Sequence, residues 1–287
     1  MPSLKEIKTR IQSVSSTKQI TSAMKMISSA KLRKAEYKAL HFAPYQKHIN
    51  DILSNYLSSA VVDKLPIYAK AREVKNVGIV VFASNSLLCG AYNSSLVKRM
   101  QQSIHLHRDV RNEEFMVFPV GKKVRQACER AGIDTAGIFD DLAENPTYQQ
   151  TTELAESLMR MFKHNVIDRV KVIYFSYESK GHQTLKADTF LPVEFDSQSV
   201  GTVQNDYIIE PNSKKVIDSL LPKTLCSKMY SIALDAYASE QAARLFAMQV
   251  ATENANDLLQ ELSVQYNKLR QQAITSELLD IAGGKIE

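Results

Sequence analysis

Glycine and proline are missing from this chain where a folded domain would ordinarily use them. Neither occurs between Pro222 and Gly283, so Lys223 to Ala282 is one unbroken run, which as a helix would be roughly 90 Å long. No glycine precedes Gly78 either, and the opening stretch from Ser3 to about Ala43 has an apolar period of its own. Two long helices at the chain ends, with every other glycine between them, imply a rod attached to a globular body. Cysteine is scarce: Cys89, Cys128 and Cys226 form no Cys-x-x-Cys pair, which argues against a disulfide framework or a zinc site and for reduced thiols in a cytosol-like compartment. No apolar run reaches the roughly 18 residues of a membrane span. The start, Met1-Pro-Ser-Leu-Lys-Glu-Ile-Lys8, carries charges where a signal peptide needs an apolar stretch. The chain is therefore expected to stay in water, without direct membrane insertion.

Glycine is also missing where a nucleotide site would need it. Gly121-Lys122 follows a predicted strand and opens a predicted helix, but Phe115 to Val120 supplies no earlier glycine and Lys123 stands where a phosphate loop has Ser or Thr. Leu88-Cys89-Gly90-Ala91 lacks the repeated glycines of a dinucleotide fingerprint. The six histidines, His41, His48, His105, His107, His164 and His182, have no metal-ligand spacing and are expected mostly on surface helices or loops. No catalytic residue, cofactor or metal is expected on this chain.

What is present is ordinary in amount and uneven in placement. The formal charge is +5. Lys5, Lys8, Arg10, Lys18, Lys25, Lys31, Arg33, Lys34 and Lys38 face only Glu6 and Glu36 in the opening stretch, whereas Glu253, Asp257, Glu261, Glu277 and Asp280 make the last part acidic. A basic helix can bind nucleic acid or anionic lipid, but no aromatics are interleaved and no recognition motif appears. Solvated faces and a partner helix of opposite sign account for the bias without nucleic acid.

Leu4, Ile7, Ile11 and Val14 keep 3-4-3 spacing, and Ser3 with Glu6 forms a capping box at the start. Lys18 and Thr21 occupy the next seam positions, and the apolar set is expected to resume in a shifted frame at Ile20, Met24 and Ile27. Near the other end Leu262, Tyr266, Leu269 and Ala273 keep heptad spacing, and upstream alanines from Ala233 to Ala255 provide small faces for close helix approach. Between the rods, Val77–Phe82, Phe115–Phe118 and Val170–Phe175 read as strands, with helices near Ser94–Ile104, Lys122–Ala131 and Thr151–Asn165. Leu185–Phe195 and Thr202–Ile209 read as further strands, antiparallel at an edge. The expected fold is α/β: a long antiparallel coiled coil of N- and C-terminal helices plus a central Rossmann-like α/β domain. Its parts are 1–60, 73–210 and 211–287.

Three segments carry a family resemblance: Ile20-Thr-Ser-Ala-Met-Lys-Met-Ile-Ser-Ser-Ala-Lys-Leu-Arg-Lys-Ala35, Ala238-Ser-Glu-Gln-Ala-Ala-Arg-Leu-Phe-Ala-Met248 and Tyr266-Asn-Lys-Leu-Arg-Gln-Gln-Ala-Ile-Thr-Ser-Glu277. They resemble the signature segments of the ATP synthase gamma subunit, the central shaft of F1. Tyr207-Ile-Ile-Glu-Pro211 is similar to the family's Tyr-x-Tyr-Glu-Pro. The chain departs at Ser84-Asn85-Ser86-Leu87-Leu88-Cys89-Gly90, where the family commonly has Ser-Asp-Arg-Gly-Leu-Cys-Gly.

The resemblance implies a non-catalytic rotor inside an alpha3beta3 ring, with its α/β domain next to the epsilon subunit and the membrane c-ring. It would couple proton or sodium flow to ATP synthesis or hydrolysis at the beta sites, as a peripheral protein on the cytoplasmic face of the cell inner membrane. It further implies that Arg270 and Gln271, with Asn267 and Thr275, contact beta, that Met24, Lys25, Met26, Glu240 and Arg244 form a coupling region, and that Tyr207 and Glu210 lie at the foot facing epsilon and the c-ring. From the residues alone, Arg270 and Gln271 also suit an ordinary helix surface, Met24 and Met26 suit core packing, and Glu240 with Arg244 suits an i,i+4 supporting pair. Leu278, Leu279, Ile281 and Ile286 would give the tip an apolar bearing. A coiled-coil adaptor or scaffold would explain the rods without the motifs.

Overall fold

A computed structural model describes residues 3–59, 66–107, 113–193 and 213–283. The chain divides into two compact units, one made of Met1–Ala30 with Arg244–Glu287 and the other of Lys31–Ala243. Two helices contribute to both: α1 (Leu4–Ser59, 56 residues) and α6 (Ser213–Gly283, 71 residues). Each runs through a proline, α1 past Pro44 and α6 starting ahead of Pro222. A mid-helix proline costs about 3 kcal/mol. Packing on its far side offsets that cost, through Ile49 and Leu53 beyond Pro44 and Ile217 and Leu221 before Pro222, all buried. The capping box forms as expected, the Glu6 N–H donating to Ser3 Oγ (3.3 Å) and the Ser3 N–H to Glu6 Oε2 (2.9 Å).

The smaller unit is a helix pair. Its α1 stripe does not change frame, contrary to the sequence expectation: Ile20 and Ile27 are 61% and 57% exposed, whereas Thr21 and Ser28 are buried. The heptad begun at Leu4 and Ile7 continues through Ile11, Val14, Lys18, Thr21, Lys25 and Ser28, and in the larger unit it reaches the buried Leu32 and Ala35. Of the apolar residues that suggested a shift, Ile20 and Ile27 lie outside the seam and Met24 is half-buried beside it, while polar residues occupy positions 18, 21, 25 and 28. Thr21 Oγ1 meets Thr252 Oγ1 at 2.8 Å; in the larger unit, Phe42 of α1 meets Tyr230 of α6 edge-on at 4.8 Å between ring centroids. On α6, Leu262 is buried and Tyr266, Leu269 and Ala273 are half-buried, as their spacing predicted.

The larger unit holds a four-stranded sheet in the order β2-β1-β3-β4. Strands β1 (Asn76–Phe82), β2 (Glu114–Val120) and β3 (Arg169–Ser179) are parallel, and β4 (His182–Leu191) pairs antiparallel with β3 at the edge. β4 starts before the predicted Leu185; Phe195 and the predicted strand Thr202–Ile209 lie outside the described residues. Alternation along β1 sends Val77, Ile79 and Val81 to one face with α2 (Tyr92–His105) and α3 (Lys122–Arg130). Val80 and Phe82 face the other side, with α4 (Asp140–Glu144), α5 (Tyr148–Lys163) and the first half of α6. Both faces are covered, which is why β1 is continuously apolar.

Two polar clusters lock this unit. Asp168 accepts from the backbone N–H groups of Asn76 (3.0 Å) and Lys75 (3.1 Å) and pairs with Arg72 Nε at 2.6 Å. Burial pushes its carboxyl up, but those N–H groups and the guanidinium outweigh burial and hold it below the usual range. His107 is fully buried, against the surface placement expected of most histidines here, and its Nδ1 meets the Glu113 carboxylate.

Candidate partner-binding faces

The C-terminal ends of β1 and β2 are where an α/β sheet would hold a ligand, and here they are tied to each other. Gly121 has φ +103°, and a Cβ on it would stand 2.3 Å from Ala83 O, so its glycine serves close backbone approach. The first N–H groups of α3 are occupied: Lys122 N donates to Asn85 Oδ1 (3.0 Å) and Lys123 N to Ser84 O (3.1 Å). A phosphate would have to displace both. Asn85 also donates from Nδ2 to Asp140 O (2.8 Å). The aspartate common in the resembled family could accept from Lys122 but could not make this donation. Leu88, beside it, is exposed with φ +70°.

Burial keeps two of the thiols, Cys128 and Cys226, in the unreactive protonated form. Burial, with Glu129 adding to it, pushes Cys128 up to about 11, and burial first and Glu156 second raise Cys226. Among the described residues there is no group of three or more His, Cys, Asp or Glu fit to hold a metal, and no helix is long and apolar enough to cross a membrane.

The predicted contact residues lie on the outer faces of the helices. Asn267, Arg270, Gln271 and Thr275 are all exposed. At 100° per residue Asn267, Gln271 and Thr275 share one broad face with the exposed Ile274 and Leu278, on the side away from the seam of Leu262, Tyr266, Leu269 and Ala273, and Arg270 lies at the edge of that face, between it and Tyr266. Thr275 Oγ1 donates to Gln271 O (2.8 Å), which spends its proton within the helix. The face and its edge therefore offer a guanidinium fork and two amides beside apolar side chains, a surface suited to a carboxylate set in an apolar rim. Leu278, Leu279 and Ile281 are 61–69% exposed; Ile286 lies outside the described residues.

The other predicted group divides. Met26 is 65% exposed, while Met24 and Lys25 are half-buried, Lys25 at a seam position. Glu240 and Arg244 are only 6% and 7% exposed, so neither is a solvated surface charge. Gln241 Nε2 donates to Glu240 Oε1 (3.4 Å). Charges this buried are costly unless satisfied, which marks the Ser239–Arg244 segment as more than helix surface. Tyr207 and Glu210 lie outside the described residues. Spacing gave no sign of the Thr21–Thr252 contact, since both residues look like ordinary polar helix positions.

Comparison with known proteins bears on these faces. The family model described as ATP synthase matches residues 3–285. The chain is 46% identical over 299 residues to the ATP synthase gamma chain of Bacteroides thetaiotaomicron, and 47% identical over 290 residues to that of Bacteroides fragilis, with 100% of both partners covered in each case. The chain belongs to the ATP synthase gamma family. The gamma-family fold extends to distant structures: the rotational state 3 structure of the OSCP/F1/c-ring part of the Euglena gracilis mitochondrial ATP synthase contains a chain that superposes with TM-score 0.65 at 21% identity, covering 98% of this chain and 93% of that one. The seam, the sheet and the outer face of Asn267, Arg270, Gln271 and Thr275 are thus features of a gamma-family chain rather than of a free-standing adaptor.

Proposed function

We propose that this chain is the central rotor shaft of an F-type ATP synthase. Its two long helices turn inside a ring of alpha and beta subunits, and its α/β domain joins them to the epsilon subunit and the membrane c-ring. It does no chemistry on nucleotides. One asymmetric rod presents a different face to each of three like beta subunits, so angle becomes a set of nucleotide affinities through differential contacts in each state. Proton or sodium flow through the membrane sector turns the rod. The chain is then peripheral, on the cytoplasmic face of the cell inner membrane.

The observation that carries this reading is the outer face of α6, where Asn267, Arg270, Gln271 and Thr275 stand exposed away from the seam of Leu262, Tyr266, Leu269 and Ala273. A helix packed on one side and holding directional donors on the other is made to be gripped from outside. We assign Arg270 and Gln271, flanked by Asn267 and Thr275, to a carboxylate-bearing loop of beta, and Met24, Lys25, Met26, Glu240 and Arg244 to the coupling region. Tyr207 and Glu210 are assigned to the foot.

The test is assembly and rotation. A tagged chain expressed in its own cell should co-purify alpha, beta and epsilon, and a bead fixed to its α/β domain should turn when the surface-held complex is given MgATP. Recovery of the tagged chain as a homodimer free of ATPase subunits would instead favour a scaffold.

A further inference from the structure

Within the larger unit, the end of β3 is joined by directional contacts to both long helices. Ser239 Oγ of α6 donates to Phe175 O (3.1 Å). The Phe175 ring is stacked on Tyr92 at 5.0 Å, and the Tyr92 hydroxyl in turn donates to Ala236 O of α6 (2.9 Å). One residue on, Ser176 Oγ faces Asp235 Oδ2 of α6 at 3.5 Å. One further, the Tyr177 hydroxyl donates to Glu36 Oε1 of α1 (2.5 Å). Ser239 and Tyr92 are buried, so water does not compete for these bonds.

Most of the remaining α6 contact with this unit is an apolar strip, Ile217, Leu221, Leu225, Met229, Ile232 and Ala233, with the Tyr230 ring edge-on to Tyr148 of α5 beside it. Apolar burial stabilises by area and has no preferred direction, so a helix can shift over such a surface at modest cost. Hydrogen bonds weaken steeply once their geometry is lost, and an aromatic stack tolerates only limited sliding. Shear between the helices and the sheet is therefore resisted where the directional contacts are gathered.

We propose that Phe175–Tyr177, with Tyr92, is the fastening through which torque passes between the α/β domain and the two long helices, Ser239 and Glu36 being its counterparts on α6 and α1. The inference rests on the rotor reading and adds to it which side chains bear the load. These are positioning residues: none of them is assigned to nucleotide, ion or ring contact.

The experiment uses the assembled complex with its alpha-beta ring held to a surface and a bead on the α/β domain, stalled so that angular fluctuation reports torsional stiffness. The triple variant Tyr92→Phe, Tyr177→Phe, Ser239→Ala removes the three hydroxyl donors and keeps the rings and most of the volume. Its angular variance should rise about two-fold over the parent, in keeping with the loss of three net hydrogen bonds, and Ser239→Thr alone should stay at the parental value because it keeps the hydroxyl. Leu158→Ala, a cavity in α5, should lower thermal stability without changing the variance. If the triple variant does not assemble, Tyr177→Phe alone is read, with a smaller rise expected. Parental variance in a rotating, assembled triple variant, or in Tyr177→Phe where only that assembles, would overturn the fastening. A parent complex whose bead does not turn with MgATP would instead overturn the rotor reading.

Discussion

The sheet of the larger unit and the seam of the smaller one bury their residues by different rules. Along β1 no side chain from Val77 to Phe82 exceeds 3% exposure, and all of them are apolar or glycine. Among residues 3–30 of α1, only Ile7, Thr21 and Ser28 are buried, and two of those three are polar. The sheet is specified by apolar volume packed on both faces. The helix pair is specified by period and a few polar contacts, with most of its surface left outward. A region with so little of its own core gains its definition from what surrounds it, which is the difference expected between an anchor and a shaft.

The largest effect should come from breaking the sheet side at a point with no slack. Gly121 has positive φ, and its missing Cβ would sit 2.3 Å from Ala83 O. Gly121→Ala should therefore cost about 3 to 5 kcal/mol through backbone strain and displacement of the β1 end, read as a fall in the urea midpoint at unchanged m-value. A midpoint within error of the parent would show that the β1–β2 corner yields more easily than its geometry implies. On the seam side, Leu262 is 3% exposed, and Leu262→Asp should cost about 2 to 5 kcal/mol by losing packing and burying an unpaired charge. If that variant melted and assembled like the parent, the seam would not be the element that holds the helices together.

A medium effect should separate the regions by pH. Burial pushes the Asp235 carboxyl up to about 6, against the opposing pull of Lys186 and the Ser176 hydroxyl. Its proton is held more tightly folded than unfolded, so its penalty is absent below about pH 4 and grows as pH rises towards 6, reaching about 2 to 3 kcal/mol. Asp235→Asn keeps an acceptor for Ser176 and removes the charge. It should gain about 1 to 3 kcal/mol at pH 7 and nothing at pH 4, measured by urea unfolding at both values. A smaller effect is expected at the seam hydroxyls. Thr252→Val should cost about 0.5 to 1 kcal/mol, and adding Thr21→Val should cost less than the sum, because the second change removes the group left without its partner. Strict additivity would mean that the 2.8 Å contact carries no coupling.

Most of the sheet was legible in the sequence because short β-branched runs between helical stretches leave few arrangements. Strands β1 to β3 and helices α2, α3 and α5 fell within a few residues of their predicted places. The runs free of glycine and proline understate the two long helices, since Pro44 and Pro222 are passed where packing continues beyond them. Ile20 and Ile27 misled instructively. Apolar residues were taken as seam and polar ones as interruption, but on a helix gripped from outside the reverse holds, and the heptad runs on through Lys18, Thr21, Lys25 and Ser28. His107 was grouped with histidines expected mostly on the surface because a lone histidine carries no sign of the carboxylate it will meet six residues on. The contacts of Ser239 and Glu36 with β3, and of Tyr92 with α6, span 64 to 144 residues of sequence, and no local pattern reports such pairings.

The smallest expected effect on the chain itself separates seam from outer face most cleanly. Arg270 is exposed, so Arg270→Ala should change the unfolding free energy of the isolated chain by less than about 0.5 kcal/mol. If Arg270 engages a carboxylate of beta as proposed, the same change should impair ATP-driven proton pumping by the assembled enzyme in reconstituted membranes. Arg270→Lys keeps the charge but offers no parallel pair of N–H donors, so it should impair pumping almost as much as alanine; rescue by lysine would reduce the contact to simple charge attraction. Gln271→Ala added to Arg270→Ala should cost less than the sum of the two, since both serve one contact surface. Unimpaired pumping by Arg270→Ala would remove the outer face from the coupling mechanism and leave this end of α6 as a bearing, held in place by its apolar tip alone.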